Sequence, residues 1–233
     1  MTKAQLYYPD STKRLFTSAH SFYVEQMRVR IFSQFADLEG EAEKKAEEVY
    51  RDLGHRYPGG DWSEAAEIAH EAGSDHYISL TEMRDQVLMG GLAGMFHQWD
   101  KTIREYLVRE LNHDFDNEKI EKLVWNGTFE DVLNIFSQFG WDVQALPFYP
   151  KLDALQLIVN VYKHGNGRSL TKLRNDYSQY LRDPTGDWNL GSFTLQPDHT
   201  WLTIEQDQFI ELSNAVLDFW TAMPERLYLE LAS

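Results

Sequence analysis

Hydrophobic residues recur at steps of three or four along much of the chain, the signature of helices that bury one face. Met27, Ile31, Phe35, Leu38, Ala42, Ala46, Val49 and Leu53 form the first such stripe. It predicts a long helix over roughly residues 18 to 53, stopped by Gly54 and by Pro58-Gly59-Gly60. A short amphipathic piece, Ser63 to Ala72, is expected to end at Gly73. Ser79-Leu80-Thr81-Glu82 reads as a capping box that opens a second long helix over about 80 to 111, with Leu88, Leu92, Met95, Trp99, Ile103, Tyr106 and Leu107 along one side. Gly90, Gly91 and Gly94 lie inside that helix. Each costs about 1 kcal/mol relative to alanine, so a neighbouring backbone or side chain is expected to approach closely there, most simply at a helix crossing.

Further along, Asp116 or Asn117 caps a short helix to Val124, and Thr128-Phe129-Glu130-Asp131 opens one that ends at Gly140. Pro147 and Pro150 lead into a helix from Lys151 to His164, closed by Gly165-Asn166-Gly167, and another is expected from Leu170 to Leu181. The segment 183–200 is turn-rich, and Ser192–Leu195 could pair with Trp201–Ile204 as a small hairpin. Thr203-Ile204-Glu205-Gln206 reads as a second capping box, starting a last helix that carries Phe209, Leu212, Val216, Leu217 and Trp220 and stops at Pro224. The expected fold is all-α, with at most one short β-hairpin near 192–204. It is read as a single domain over 1–233, with a long-helix pair at 18–111 and a C-terminal part at 117–224.

Composition narrows the function classes. The 233 residues hold 22 Lys plus Arg against 37 Asp plus Glu, a net charge of −15, which speaks against a surface that binds nucleic acid or anionic membrane throughout. The absence of cysteine excludes disulfides, thiolate metal sites, iron–sulfur clusters and a cysteine nucleophile. Nothing calls for a cofactor or a metal. Asp114, Asp116 and Glu118 resemble the start of a calcium loop, but Lys119 stands where glycine is required, so a helix cap is the better reading. With no targeting-type apolar run near the start and no eighteen apolar residues in succession, a cytoplasmic protein without a membrane partner is expected.

Phosphate loops, dinucleotide fingerprints, zinc-protease helices and serine-nucleophile elbows are all missing from the sequence. The helix 151–164 carries the candidate chemistry instead. Leu152, Leu155, Ile158, Val159 and Tyr162 form its apolar side, while Asp153, Gln156, Asn160, Lys163 and His164 fall at steps of three and four on another face. Asn160 and His164, four apart, can reach one small group, and imidazole suits acid–base work near neutral pH. Lys163 and Arg168 could stabilise developing negative charge, with Gln156, Lys172, Arg174 and, from the second long helix, His97 as further phosphate or RNA contacts. The alternative is that His164 simply favours the helix dipole ahead of a capping Gly165. Charge adds weight to the first reading: residues 151–183 hold six basic and three acidic residues, a balance of +3, whereas 36–85 hold five basic and fourteen acidic ones, or −9.

The segment Leu157-Ile158-Val159-Asn160-Val161-Tyr162-Lys163-His164-Gly165 resembles the signature helix of the HEPN superfamily. These compact helical domains are marked by an arginine, usually a polar residue after it, and a histidine a few residues on. Asn160 and His164 match the polar and histidine positions, and Val159 stands at the arginine position. The resemblance implies a helical bundle, a homodimer whose cleft joins both signature helices, and binding or metal-independent cleavage of RNA in a bacterial stress, toxin–antitoxin or phage-defence setting. In those terms His164, Asn160 and Lys163 are the catalytic candidates. Valine supplies neither a base nor a cation, so the same likeness allows a rewired nuclease site or a site that only binds. Two readings from another class remain beside it: a helical interaction protein whose acidic first helix docks a basic partner, or an acidic antitoxin-like protein that neutralises a basic one.

Overall fold

A short run of alternating residues opens the chain. In the computed structural model, which describes residues 3–56, 59–60, 62–182 and 198–230, Lys3–Tyr7 forms strand β1. Ala4 and Leu6 point into the core, as does Tyr8 just after the strand. β1 pairs antiparallel with β2 (Arg226–Glu230), Leu6 opposite Leu227, so the two ends of the described chain form one ribbon. The outward amides of Gln5 and Tyr7 donate to Asp114 Oδ2 and Glu110 Oε2, both at 3.1 Å, and Tyr228 N on the other strand donates to Phe139 O at 3.2 Å. Both edges of the ribbon are thereby occupied and offer little to another strand.

The rest of the described chain is helical, as the periodicity predicts. In order come α1 (Asp10–Gln26), α2 (Leu38–Arg56), α3 (Trp62–Leu111), α4 (Asn117–Asn126), α5 (Phe129–Gln138), α6 (Tyr149–His164), α7 (Arg168–Asp176) and α8 (Gln206–Ala222). Two compact units emerge: Met1–Glu25 with Gly91–Ser233, and Gln26–Gly90. Among the described residues, no helix is long and apolar enough to cross a membrane.

The first unit is organised by aromatic side chains. Phe219 of α8 meets Trp99 of α3 at 5.2 Å, Phe136 of α5 at 5.7 Å and Trp141 at 5.1 Å between ring centroids. Its neighbour Trp220 stacks with Tyr8 and meets Phe16 at a tilt, 4.7 Å between ring centroids. Edge-to-face pairs of this kind add to the burial of large apolar surfaces. Around them pack Leu152, Leu155, Ile158 and Val159 of α6. Arg104 is buried and ties α3 to the end of α4 by donating to the carbonyls of Val124 and Gly127 and pairing with Asp100. It satisfies carbonyls that the helix end leaves open. The caps expected on α4 and α5 are present: Asp116 accepts from Lys119 N, and Thr128 and Asp131 bond reciprocally.

The second unit is thinner. α2 and residues 62–90 of α3 form an antiparallel pair, with Tyr50 and Trp62 5.9 Å apart at one end and Gly73 against Ala42 and Ala46 further along. Its buried residues are Phe32, Leu38, Ala42, Ala69, Gly73, Leu88 and Met89.

Several boundaries differ from the sequence expectation. The helix expected over 18–53 is interrupted: α1 ends at Gln26, a π turn spans Met27–Ile31 and a 3-10 turn Phe32–Phe35, and Asp37 restarts the chain as α2 by accepting from Gly40 N. Both turn types keep a step near three or four, so the stripe of hydrophobic residues passes through the break unaltered. Conversely, the pieces 63–72 and 80–111 are one continuous α3. Gly73 is where α2 comes closest, not a stop, and the Ser79 hydroxyl donates to Asp75 O within the helix rather than capping a new one. The close approach expected at the three glycines is made by Tyr23 of α1. Its hydroxyl donates to Gly91 O at 2.8 Å and lies 2.7 Å from where a Cβ on Gly94 would be, while nothing stands within 4 Å of a Cβ on Gly90.

The helix expected to Leu181 ends at Asp176 and is followed by a 3-10 turn, Ser178–Tyr180. The first arm of the expected hairpin, 192–195, lies outside the described residues. Its second arm meets a different partner: Leu202 bridges Leu181, with Arg182 N donating to Trp201 O and Thr203 N to Tyr180 O. The cap of α8 sits two residues later than predicted, on Glu205 and Gln208, because glutamate at that position can accept from the backbone as threonine would.

Candidate functional site

α6 begins with Tyr149-Pro150, a place where the missing proline amide costs nothing, and ends at Gly165, whose φ of 69° is a conformation glycine adopts without strain. Its polar stripe divides into two halves. Asp153, near the start, is buried; Lys172 Nζ donates to its Oδ1 at 2.8 Å and the Tyr177 hydroxyl to its Oδ2 at 2.9 Å. This carboxylate fastens α7 and the turn after it onto α6. The hydrogen bond to Asp153 raises the Lys172 ammonium above its ordinary pKa, and burial followed by the same carboxylate pushes the Tyr177 phenol upward. Tyr149, nearby, is raised chiefly by burial.

The second half of the stripe opens to solvent. Gln156 and Asn160 are half-buried, and Lys163 and His164 are exposed. Directly after the loop, Arg168 is exposed as the first residue of α7, and Gly167 before it provides no side-chain cap. A cation at that end opposes the helix dipole, so Arg168 does not serve the stability of α7. Its charge and the uncapped amides of the first turn both favour an anion.

The structure adds a residue that sequence spacing did not reveal. His199 N and His199 Nδ1 both bond Asn166 Oδ1, at 3.0 and 3.2 Å, and the ring lies 3.6 Å from where a Cβ on Gly165 would be. The backbone amide requires an acceptor, which fixes the Asn166 atom as oxygen and makes Nδ1 the protonated ring nitrogen. In that tautomer the lone pair of the ring is on Nε2. Beside it, Asp198 accepts from Thr200 N and Oγ1, which hold its carboxyl below the usual range, with smaller contributions from His199 and Arg174. His199 sits 33 residues beyond Asn166 in a turn-rich segment, so no periodicity connects them. Asn166, between two glycines, was visible only as a loop.

Of the residues singled out by sequence, Asn160, Lys163, His164 and Arg168 cluster at the end of α6 and the start of α7. Gln156 lies one turn back on the stripe. Lys172 is engaged by Asp153, and Arg174 lies close enough to Asp198 to influence its charge. His97 is exposed on α3, its ring edge-on to Phe96 at 5.7 Å, and none of its described interactions reaches α6 or α7. Val159 is 1% exposed, packed in the core. An arginine at that position would have to bury its charge. Among the described residues, no group of three or more acidic or histidine side chains could hold a metal ion. No family model, no curated protein and no solved structure matches this chain.

Proposed function

We propose that the protein binds RNA at the end of α6, as a HEPN-like domain, through Lys163, His164, Arg168 and Asn160. The observation that carries this reading is that Lys163, His164 and Arg168 stand exposed around Gly165-Asn166-Gly167 in the part of an acidic chain where positive charge collects. Such a cluster suits a phosphate backbone, and imidazole and amide groups at its edge suit ribose hydroxyls. Two histidines, His164 and His199, adjoin the same glycine loop. They are the residue types that cleavage needs: one takes the proton of a 2′-hydroxyl as its oxygen attacks phosphorus, and the other protonates the departing 5′-oxygen. With Val159 in the core, Lys163 or Arg168 would supply the cation that faces the phosphorane. The family likeness also makes a homodimer with paired α6 helices the expected assembly.

The test is binding and cleavage of end-labelled single-stranded RNA and transfer RNA by the purified chain. Binding that weakens with salt, and falls at least tenfold in Lys163→Ala/Arg168→Ala, supports the RNA site. Affinity unchanged by that pair of substitutions overturns it. Cleavage to a cyclic phosphate that disappears in both His164→Ala and His199→Ala supports the acid–base assignment, whereas cleavage surviving both removes it.

A further inference from the structure

The unit Gln26–Gly90 holds a surface that the RNA reading leaves unused. Between α2 and the first half of α3 runs a groove of about 540 Å³. Its floor is made of small residues, because Gly73 admits Ala42 and Ala46 so closely that a Cβ there would lie 3.0 Å from the Ala46 methyl. One wall carries Tyr77 and Ile78, which are 39% and 54% exposed. The other is formed by Glu39 and Glu43 of α2, and Glu47 continues the same ridge one turn beyond the groove; the three are spaced by four residues and exposed. None of these carboxylates forms an ion pair among the described residues, and like charges at that spacing repel and weaken an isolated helix. An apolar trough bordered by an unpaired acidic ridge complements a helix with apolar residues on one face and lysine or arginine along its flank. Nucleic acid, anionic lipid and a second copy of this acidic unit would all bring further negative charge to the ridge.

We infer that this groove docks a basic, amphipathic helical segment of a partner protein. The ridge from Glu39 to Glu47 spans about 12 Å, so the contact covers two to three turns of the docked helix. Its apolar residues lie over Ala42, Ala46 and Gly73 between the two walls, and its cations face Glu39, Glu43 and Glu47. The inference is independent of the RNA site, which belongs to the other unit.

The probe is a fluorescent eighteen-residue Leu/Lys peptide with leucines at helical spacing, together with a twin in which every lysine is glutamate, titrated into the full chain by anisotropy. The lysine peptide is expected to bind and the glutamate twin not to bind. Glu39→Gln/Glu43→Gln/Glu47→Gln should weaken binding at least tenfold, whereas the equally neutralising Glu118→Gln/Glu121→Gln/Glu130→Gln should change it less than twofold. Ser74→Lys, an exposed position at the groove, places a cation in it without disturbing the helix contact and should weaken binding to a similar extent. Lys163→Ala/Arg168→Ala should leave peptide affinity unchanged, which separates this site from the RNA site. The inference is overturned if the lysine peptide does not bind, if the two glutamine triples weaken it equally, if the glutamate twin binds as well, or if sedimentation shows a dimer that the groove substitutions dissolve.

Discussion

The two units bury very different amounts of their hydrophobic residues. In the first, Tyr8, Tyr106, Phe136, Phe209, Phe219 and Trp220 are each at most 2% exposed. In the second, the buried set is mainly Phe32, Leu38, Leu88, Met89 and small residues, while Trp62, Ile78 and Met83 are each more than half exposed. Both are helical and both follow the same three-and-four spacing. What separates them is what the helices pack with inside each unit: α6 packs against both α7 and α8, and Phe219 of α8 also meets α3 and α5, whereas α2 meets the first half of α3 through the small residues Ala42, Ala46 and Gly73. A helix pair alone covers one stripe per helix and leaves the flanks open. Positions that look alike in the sequence therefore carry different energies, and an open groove survives where the core is thin.

Substitutions can break this comparison, beginning with the largest effect. Trp220→Ala in the first unit should cost about 4 kcal/mol, read as a shift in the urea midpoint, whereas Tyr77→Ala in the second should stay within about 0.5 kcal/mol. Equal losses would mean that the second unit is as tightly packed as the first. Asp153→Asn should cost about 2 kcal/mol, since it weakens the acceptor for Lys172 and Tyr177 in a buried place. Lys163→Ala, ten residues along the same helix, should leave stability nearly unchanged.

The glycines sharpen the contrast within the second unit. Gly73→Val should destabilise by about 2 kcal/mol, because the Ala42 carbonyl and the Ala46 methyl already stand at contact distance from a Cβ. Gly90→Ala should stabilise by up to about 1 kcal/mol, since helix propensity is gained and nothing stands within 4 Å. Both are read from thermal or urea midpoints.

The smallest expected effect is a pH dependence in the first unit. His20 Nε2 lies 2.8 Å from Ser213 O, and burial lowers the imidazole below its usual 6.5, an effect the carbonyl partly offsets. As pH falls through about 6.5, the unfolded chain takes up a proton that the folded one resists. The contribution to stability is thus present above that pH and declines below it. His20→Gln should flatten the stability profile between pH 7 and 5; an unaltered slope would show that His20 protonates freely in the fold.

Much of the helical content was legible because it depends on local chemistry. The alternation of apolar residues, Asp116 and Thr128 as caps, and Gly165 after His164 all act within a few residues. The two strands also had a local sign, Ala4, Leu6 and Tyr8 against Leu227 and Leu229, but five-residue alternations at opposite ends of a chain mean little until they are paired. At the candidate site, Asn160, Lys163, His164 and Arg168 could be read from one helix and its loop. His199 could not, because its bond to Asn166 joins segments 33 residues apart. Nor could the divided character of the polar stripe, where Asp153 is a buried anchor and Lys163 an exposed cation, although both lie on the same helical face.

Sequence by itself determined that this is an all-α chain, where most of its helices start or stop, and that its positive charge gathers around residues 151–183. Only the tertiary structure decided that Gly73 is a helix contact and not a stop, that α1 and α2 are separate, that Val159 belongs to the core, and that His199 stands beside Gly165. The physical reason is range. Capping and periodicity are settled by neighbours within about one or two turns, whereas burial and the meeting of distant side chains depend on which faces the whole chain brings together.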